Sequence, residues 1–206
     1  MPNPKFRFWY ERARGHSKST DLAVQAAWAL YSAPAKINGV AAACDKEQAR
    51  LIRDAIDGLV RANEWLRTRL EIQNYCVRNP RTGSELTIIS ADAATSYGIL
   101  PHFVIVDELS HWKKRDLWDS LVSSAAKRER CMMVVISNAG QGRGRSWQWA
   151  VREACRTDPD WYFSRQDGPV ARWITPDRLA EQRRLLPPLA YSRLWLNQWT
   201  AESAEG

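Results

Sequence analysis

The 206-residue sequence predicts an α/β fold, with a mostly parallel central sheet flanked by helices and a small helical part at the carboxyl end. Three observations carry that expectation. Residues 103–106, Phe-Val-Ile-Val, and residues 131–136, Cys-Met-Met-Val-Val-Ile, are apolar without alternation, the pattern of strands buried on both faces. Segments with helical spacing of apolar residues stand between the strand-like ones, as in a sheet covered on both sides. Several of these strands run directly into acidic or small polar residues, where open α/β sheets place their ligand crevices.

Composition bounds the reading. Hydrophobic residues make up 45% and charged residues 26% of the chain, a globular balance, and the length suits one domain with a sizeable core. The net charge of +7 favours a polyanionic partner only weakly, because no single tract concentrates it. Cys44, Cys76, Cys131 and Cys155 lie far apart without metal-ligand spacing, so reduced, buried thiols are expected. His16, His102 and His111 form no metal pattern. No apolar run approaches the ~18–20 residues of a membrane span, and no signal-peptide pattern opens the chain. The eleven tryptophans are chiefly packing residues, some of them candidates for stacking on bases.

In chain order, residues 6–10 read as a short strand, and Ala13-Arg14-Gly15-His16-Ser17-Lys18-Ser19-Thr20 as a loop. A helix follows over 21–31, with Leu22, Ala26 and Leu30 on one face. Strand, small polar loop, Lys-Ser and helix is the layout of a phosphate-binding loop, in which backbone N–H groups and the helix N-terminus cradle phosphates. Lys18 would neutralise them and Ser19 would coordinate Mg²⁺; a basic loop capping a helix is the plainer alternative. Ser17 stands where the glycine before the lysine is usual. A positive φ there would cost roughly 1–2 kcal/mol.

Residues 39–44 form a second apolar strand, and Asp45-Lys46-Glu47-Gln48 is a capping-box-like start. The helix it opens runs to about 62, with Ala49, Ile52, Ile56 and Leu59 inward. Residues 72–78 and 85–90 are β-like and joined by a Pro- and Gly-containing turn, which makes a hairpin. A small-residue loop over 90–98 leads into the strand at 103–106. That strand ends in Asp107-Glu108. Asp107 is placed to hold a hydrated Mg²⁺ and Glu108 to polarise a water, the arrangement of a Walker B element; a buried strand that merely ends at an acid is the plainer alternative. A helix over 116–127 precedes the strand at 131–136, which ends in Ser137-Asn138-Ala139-Gly140. Those small polar groups would lie beside a γ-phosphate and sense it, or form an ordinary turn. Gln141-Gly142-Arg143-Gly144-Arg145 is a basic loop that suits DNA phosphate, a neighbour's nucleotide or solvent. Ser146 caps a helix to about 156. A boundary is expected near 158–170, dividing an ATPase domain at 1–160 from a small helical subdomain at 161–206. In the latter, Thr175-Pro176-Asp177 opens one helix that Pro187-Pro188 ends, and 191–199 forms the last. The tail from 201 is expected to be disordered.

Taken together, the set resembles the large terminase subunit of tailed bacteriophages, and within it the ATPase region. The resemblance rests on residues 13–19, 42–49, 106–112, 137–140 and 193–199, in that order. It implies a P-loop NTPase, with Gly15, His16, Ser17, Lys18, Ser19 and Thr20 binding ATP, and Ser19 and Asp107 ordering Mg²⁺. By the same resemblance Glu108 activates the attacking water, Arg14 contacts the γ-phosphate, and Ser137, Asn138, Ala139 and Gly140 couple hydrolysis to DNA movement. The implied partners are double-stranded DNA, the portal protein and the small terminase subunit, in a homo-oligomeric ring with no membrane contact. The implied place is the host cytoplasm, transiently at the procapsid portal. The chain stops where the family's RNase H-like nuclease domain would begin, so no nuclease activity is expected of it. Arg128, Arg143 and Arg145 stay open as an arginine acting on a neighbouring subunit. The competing expectation is a truncated fragment that only binds DNA or a partner.

Overall fold

A computed structural model of the chain describes residues 4–91 and 100–201. Most of the small-residue loop expected over 90–98, and all but the first residue of the expected tail, lie outside the described residues. The chain divides into two compact units that are discontinuous in sequence. One comprises residues 19–107 and 112–134, the other 1–18, 108–111 and 135–206.

In the first unit the strands run in the order β3-β4-β5-β2-β6: β2 is Asn38–Ala43, β3 Glu71–Ile72, β4 Cys76–Asn79, β5 Ser84–Ser90 and β6 Phe103–Asp107. Strand β2 lies parallel to both β5 and β6, and the β3-β4-β5 edge is antiparallel. The unbroken apolar run predicts the result for β6, in which all five residues are buried. Gly39 sits in β2 opposite Phe103, and a Cβ there would come within 2.1 Å of that ring. The glycine is therefore required by close approach of an aromatic side chain. The helices of this unit are α1 (Lys18–Ser32), which begins at the division between the units, α2 (Lys46–Ala62), α3 (Glu64–Arg67) and α4 (Asp116–Ala126).

Helix α2 starts as its sequence dictates. Asp45 Oδ1 accepts the Gln48 N–H at 2.8 Å, satisfying one orphan donor of the first turn. That bond, then the Cys44 thiol, holds the Asp45 carboxyl below its ordinary value. Its buried face is Ala49, Ile52, Ile56 and Val60, so Val60 takes the inward place expected of Leu59. The hairpin is shorter than predicted. Its first strand is split into β3 and β4, and only β4 pairs with β5.

The second unit holds β1 (Arg7–Arg12), the end of β7 (Met132–Ser137), and β8 (Trp161–Gln166), ordered β7-β1-β8. Strand β1 extends two residues beyond its expected end and runs parallel to β8. Trp9 stacks on Phe163 with ring centroids 6.2 Å apart. The stretch beyond residue 160 thus opens with a strand paired to β1, before its helices α6 (Pro176–Leu185) and α7 (Pro188–Leu194). Helix α5 (Trp147–Thr157) is capped by Ser146 and α6 by Thr175, with Pro176 at its first position. The last helix differs from its expected span of 191–199. Pro188 starts it, because proline is tolerated where the first N–H needs no partner, and it stops at Leu194. Residues 195–199 are not helical, and Asn197 has φ 54°.

Candidate active site

The loop after β1 is shaped by two residues with positive φ. Gly15 has φ 79°, and a Cβ on it would meet Ile174 Cδ1 at 2.6 Å. Ser17 has φ 50°, so the left-handed conformation anticipated at that position is present and a serine bears it. His16 is buried. Its Nε2 lies 2.7 Å from the Gly168 carbonyl oxygen and its Nδ1 3.1 Å from Gln166 Oε1. The imidazole therefore anchors the loop, and only the backbone of His16 is left to serve a phosphate. Arg14 is exposed, and its N–H donates to Leu194 O at 3.1 Å. Thr20 lies in the first turn of α1 with its side chain exposed.

Lys18 reaches back over this loop. Its Nζ donates to the carbonyls of Arg12 and Ala13, both at 3.3 Å, and pairs with Glu108 Oε1 at 3.2 Å. Glu108 leaves β6 in a left-handed conformation, φ 48°, uncommon for a residue with a long side chain. Its N–H donates to Ile136 O at 2.8 Å, and a 3-10 turn (Leu109–His111) follows. Its Oε2 accepts the Asn138 N–H at 3.0 Å. One carboxylate oxygen is thus held by the loop after β7 and the other by the loop after β1. Backbone strain at an acid with two such anchors is the kind of cost that persists where surrounding structure over-determines a residue.

The loop after β7 is buried throughout residues 137–140. Ser137 Oγ accepts the Ser110 N–H at 3.1 Å and donates to Ser110 Oγ at 2.9 Å, and Ser110 Oγ donates to Asn138 Oδ1 at 3.0 Å. Ala139 N–H donates to Asn197 Oδ1 at 2.8 Å. A Cβ on Gly140 would meet the Trp199 ring at 2.7 Å and Ser110 Cβ at 3.0 Å. Glycine is needed there for space. All four residues proposed for coupling therefore lie in one hydrogen-bonded loop that also holds Glu108.

Within the other unit, Ser19 Oγ donates to Asp107 Oδ2 at 3.5 Å, and Asp107 is 1% exposed. The Trp112 indole N–H donates to the Asp107 carbonyl at 3.0 Å. The pair offers hard oxygen donors at the end of a buried strand, and Mg²⁺ takes one or two such ligands while keeping waters and phosphate oxygens. Ser19 and Asp107 fit that requirement.

Arg193, on α7, went unnoticed as a site residue in the sequence. It is half-buried, and its Nε is buried without a hydrogen-bond partner among the described residues. Desolvation, then the positive charge of Arg14, pushes it below the ordinary arginine value, against the pull of Glu108. His111 is lowered likewise, by burial first and then by Arg193, Lys18 and Arg14, while Glu108 opposes. Three cations thus gather about one carboxylate, a field suited to a polyanion. In the sequence Arg193 stands only at the head of the terminase-like stretch 193–199 with no role of its own; helix α7 brings it to the loop through the Arg14–Leu194 bond. Arg143 lies over the Trp149 ring at 5.6 Å, and in the first unit Arg128 donates to Leu100 O.

Comparison with known proteins follows the same lines. Residues 5–152 match the family model described as terminase large subunit, ATPase domain. The large terminase of HK97 bacteriophage has the same fold at TM-score 0.80 and 19% identity, covering 96% of this chain and 47% of that one. A mutant of a Thermus phage large terminase ATPase domain aligns at TM-score 0.74 and 19% identity, covering 96% and 90%. The large terminase of a thermophilic bacteriophage, solved in complex with ADP, aligns at TM-score 0.75 and 11% identity, covering 95% and 48%. The chain thus spans about half the length of the HK97 protein. No curated protein sequence is matched significantly.

Proposed function

The chain belongs to the family of terminase large subunit ATPase domains, and from that premise we propose that it is the Mg²⁺-dependent, ATP-hydrolysing motor domain that drives viral DNA into procapsids. The observation that carries the reading is Glu108. It follows Asp107 directly, with one oxygen on the Asn138 N–H and the other on Lys18.

The chemistry follows from those contacts. Arriving phosphates draw Lys18 away from Glu108 Oε1, because a polyphosphate offers it more negative charge than one carboxylate. Oε1 then accepts the proton of a water while Asn138 keeps Oε2 in place. The water oxygen bonds to the γ-phosphorus, the bond to the bridging oxygen breaks, and ADP and phosphate result. Lys18, Arg14 and Arg193 neutralise charge on the transferring group, and the loop amides from Gly15 to Ser19 cradle it; such transfers depend on positioning and charge more than on covalent chemistry. Ser19 Oγ and Asp107 would hold Mg²⁺, which when bound neutralises the β- and γ-oxygens. The relative solved with ADP supports nucleotide binding here.

Loop 137–140 grips Glu108 and so suits a relay from hydrolysis to movement. Double-stranded DNA, the portal protein, the small terminase subunit and a ring of like subunits are the partners this role requires, in the host cytoplasm and at the portal. The binding-only fragment is not favoured, since the paired carboxylate, lysine and loop amides have no use without hydrolysis. The test is Mg²⁺-ATP turnover by Glu108→Gln and Lys18→Ala beside the parent chain. Both variants should lose hydrolysis and stay folded. Turnover by Glu108→Gln at the parent rate would remove Glu108 from its role.

A further inference from the structure

Asn197 is wholly buried in the second unit, with φ 54°, a conformation that asparagine tolerates better than most residues. Every polar group of its side chain amide is engaged across the chain. Oδ1 accepts the Ala139 N–H at 2.8 Å, and Nδ2 donates to Gln166 O at 2.9 Å. Its own carbonyl accepts Arg165 Nη2 at 3.0 Å.

Both ends of this brace lead to the site. Ala139 adjoins Asn138, whose N–H holds Glu108 Oε2 at 3.0 Å. Gln166 ends β8, and its side chain meets the His16 ring at 3.1 Å inside the phosphate loop. A path of hydrogen bonds linked through Gln166 and the Asn138–Ala139 peptide therefore joins the loop after β1 to the loop after β7, with Asn197 at its centre. The position needs one acceptor and one donor on a short side chain with left-handed backbone. An amide supplies both from two separate atoms, whereas aspartate cannot donate when ionised and an apolar residue would strand the buried Ala139 N–H.

We propose that Asn197 is a positioning residue for hydrolysis: it holds loop 137–140 in the arrangement that orients Glu108, and ties that loop to the phosphate loop through Gln166. The proposal rests on the reading of Glu108 as the group that activates water. A displacement of about 1 Å at such a group costs on the order of 100-fold in rate.

Asn197→Gly keeps the left-handed backbone available and deletes both amide bonds. Its kcat for Mg²⁺-ATP should fall by about 10- to 100-fold, with the dissociation constant for a non-hydrolysable ATP analogue within about twofold of the parent. Backbone amide exchange at Asn138 and Ala139 should accelerate while that of β2 and β5 stays slow. An unchanged kcat, or a loss of binding and turnover in parallel, overturns the proposal. The exchange measurement does not depend on Glu108, so failure of the hydrolytic reading, seen as full turnover by Glu108→Gln, is told apart from failure of this one. If Asn197→Gly does not fold, Asn197→Asp keeps the acceptor for Ala139 and removes the donor to Gln166. Parent-level kcat in that variant would overturn the link to the phosphate loop.

Discussion

The second unit contains two glutamates amid cations, one buried and one half-buried, and they are built oppositely. Glu11 is 0% exposed near the end of β1. Arg152 grips it in a fork, Nε to Oε2 at 2.5 Å and Nη2 to Oε1 at 3.0 Å; Trp199 Nε1 adds a bond at 3.1 Å, and Arg165 Nε lies 3.4 Å away. Both oxygens are engaged by side chains, two arginines and an indole, and the arginines are themselves pinned by further partners: Arg152 also pairs with Glu153, and Arg165 with Asp167 and the Asn197 carbonyl. Glu108 is partly open, left-handed, and shared between the Asn138 amide, the Ser137 hydroxyl at 3.5 Å and one lysine. Among the described residues, its lysine is otherwise held by two long carbonyl contacts. A buried acid with a closed set of partners is a structural member; one with a removable partner is poised for chemistry.

The sharpest way to break this contrast is to remove each charge in turn. Glu108→Gln should lower kcat by about 10³-fold, in the range of a lost general base, with a urea midpoint close to the parent's. Glu11→Ala should do the reverse. It takes from Arg152 its fully buried carboxylate, leaving only the more exposed Glu153, and should cost about 3–5 kcal/mol of stability, while the surviving folded fraction still hydrolyses ATP. The double change Glu11→Met with Arg152→Leu should recover much of that loss, as apolar replacement of a buried pair often does. If Glu11→Ala instead abolished turnover without lowering the denaturation midpoint, the contrast would collapse.

A smaller effect is expected at Ser17. Ser17→Gly relieves the left-handed strain and should raise stability by about 1 kcal/mol by thermal or urea unfolding, without loss of ATP binding. Smallest is a pH effect at His102 in the first unit. Its Nδ1 accepts the Asn38 N–H at 2.9 Å. Burial, then Arg128, pushes its value below that of a free histidine. The unfolded chain therefore binds the proton first. Stability should be full above pH ~6.5 and decline as pH falls from there toward the lower folded value. Urea titrations of the parent and His102→Gln between pH 5 and 8 would show the decline flattened in the variant. The thiols offer a parallel check: burial pushes Cys155 up to about 12, and burial with Asp45 beside it does the same to Cys44. Both should alkylate far more slowly in the folded chain than after unfolding at pH 8.5.

Much of this was written locally. The apolar run before Asp107 could only be a strand buried on both faces. The Asp45 and Thr175 caps and the Pro176 start are short-range chemistry, and each is found as read. The Lys-Ser pair opens a helix, and the Asp-Glu pair and the Ser-Asn-Ala-Gly loop sit at strand ends, as the local pattern indicates. What local pattern left open depended on distant partners. His16 looked like a phosphate-loop residue, but Gly168 and Gln166 claim its ring. The segment after residue 160 looked helical, yet its first six residues pair with β1 because aromatic rings on Trp9 and Phe163 stack across the strands.

By itself, then, the sequence determined the succession of strands and helices and the motifs at their ends, since periodicity, capping and the chemistry of neighbouring residues act within a turn or two. Only the tertiary structure decided which carboxylate is spent and which is free, that Arg193 joins the cations around Glu108, and that Asn197 braces two loops more than a hundred residues apart in the chain. Those outcomes depend on hydrogen bonds and desolvation between segments remote in sequence, and no spacing of residues along the chain encodes them.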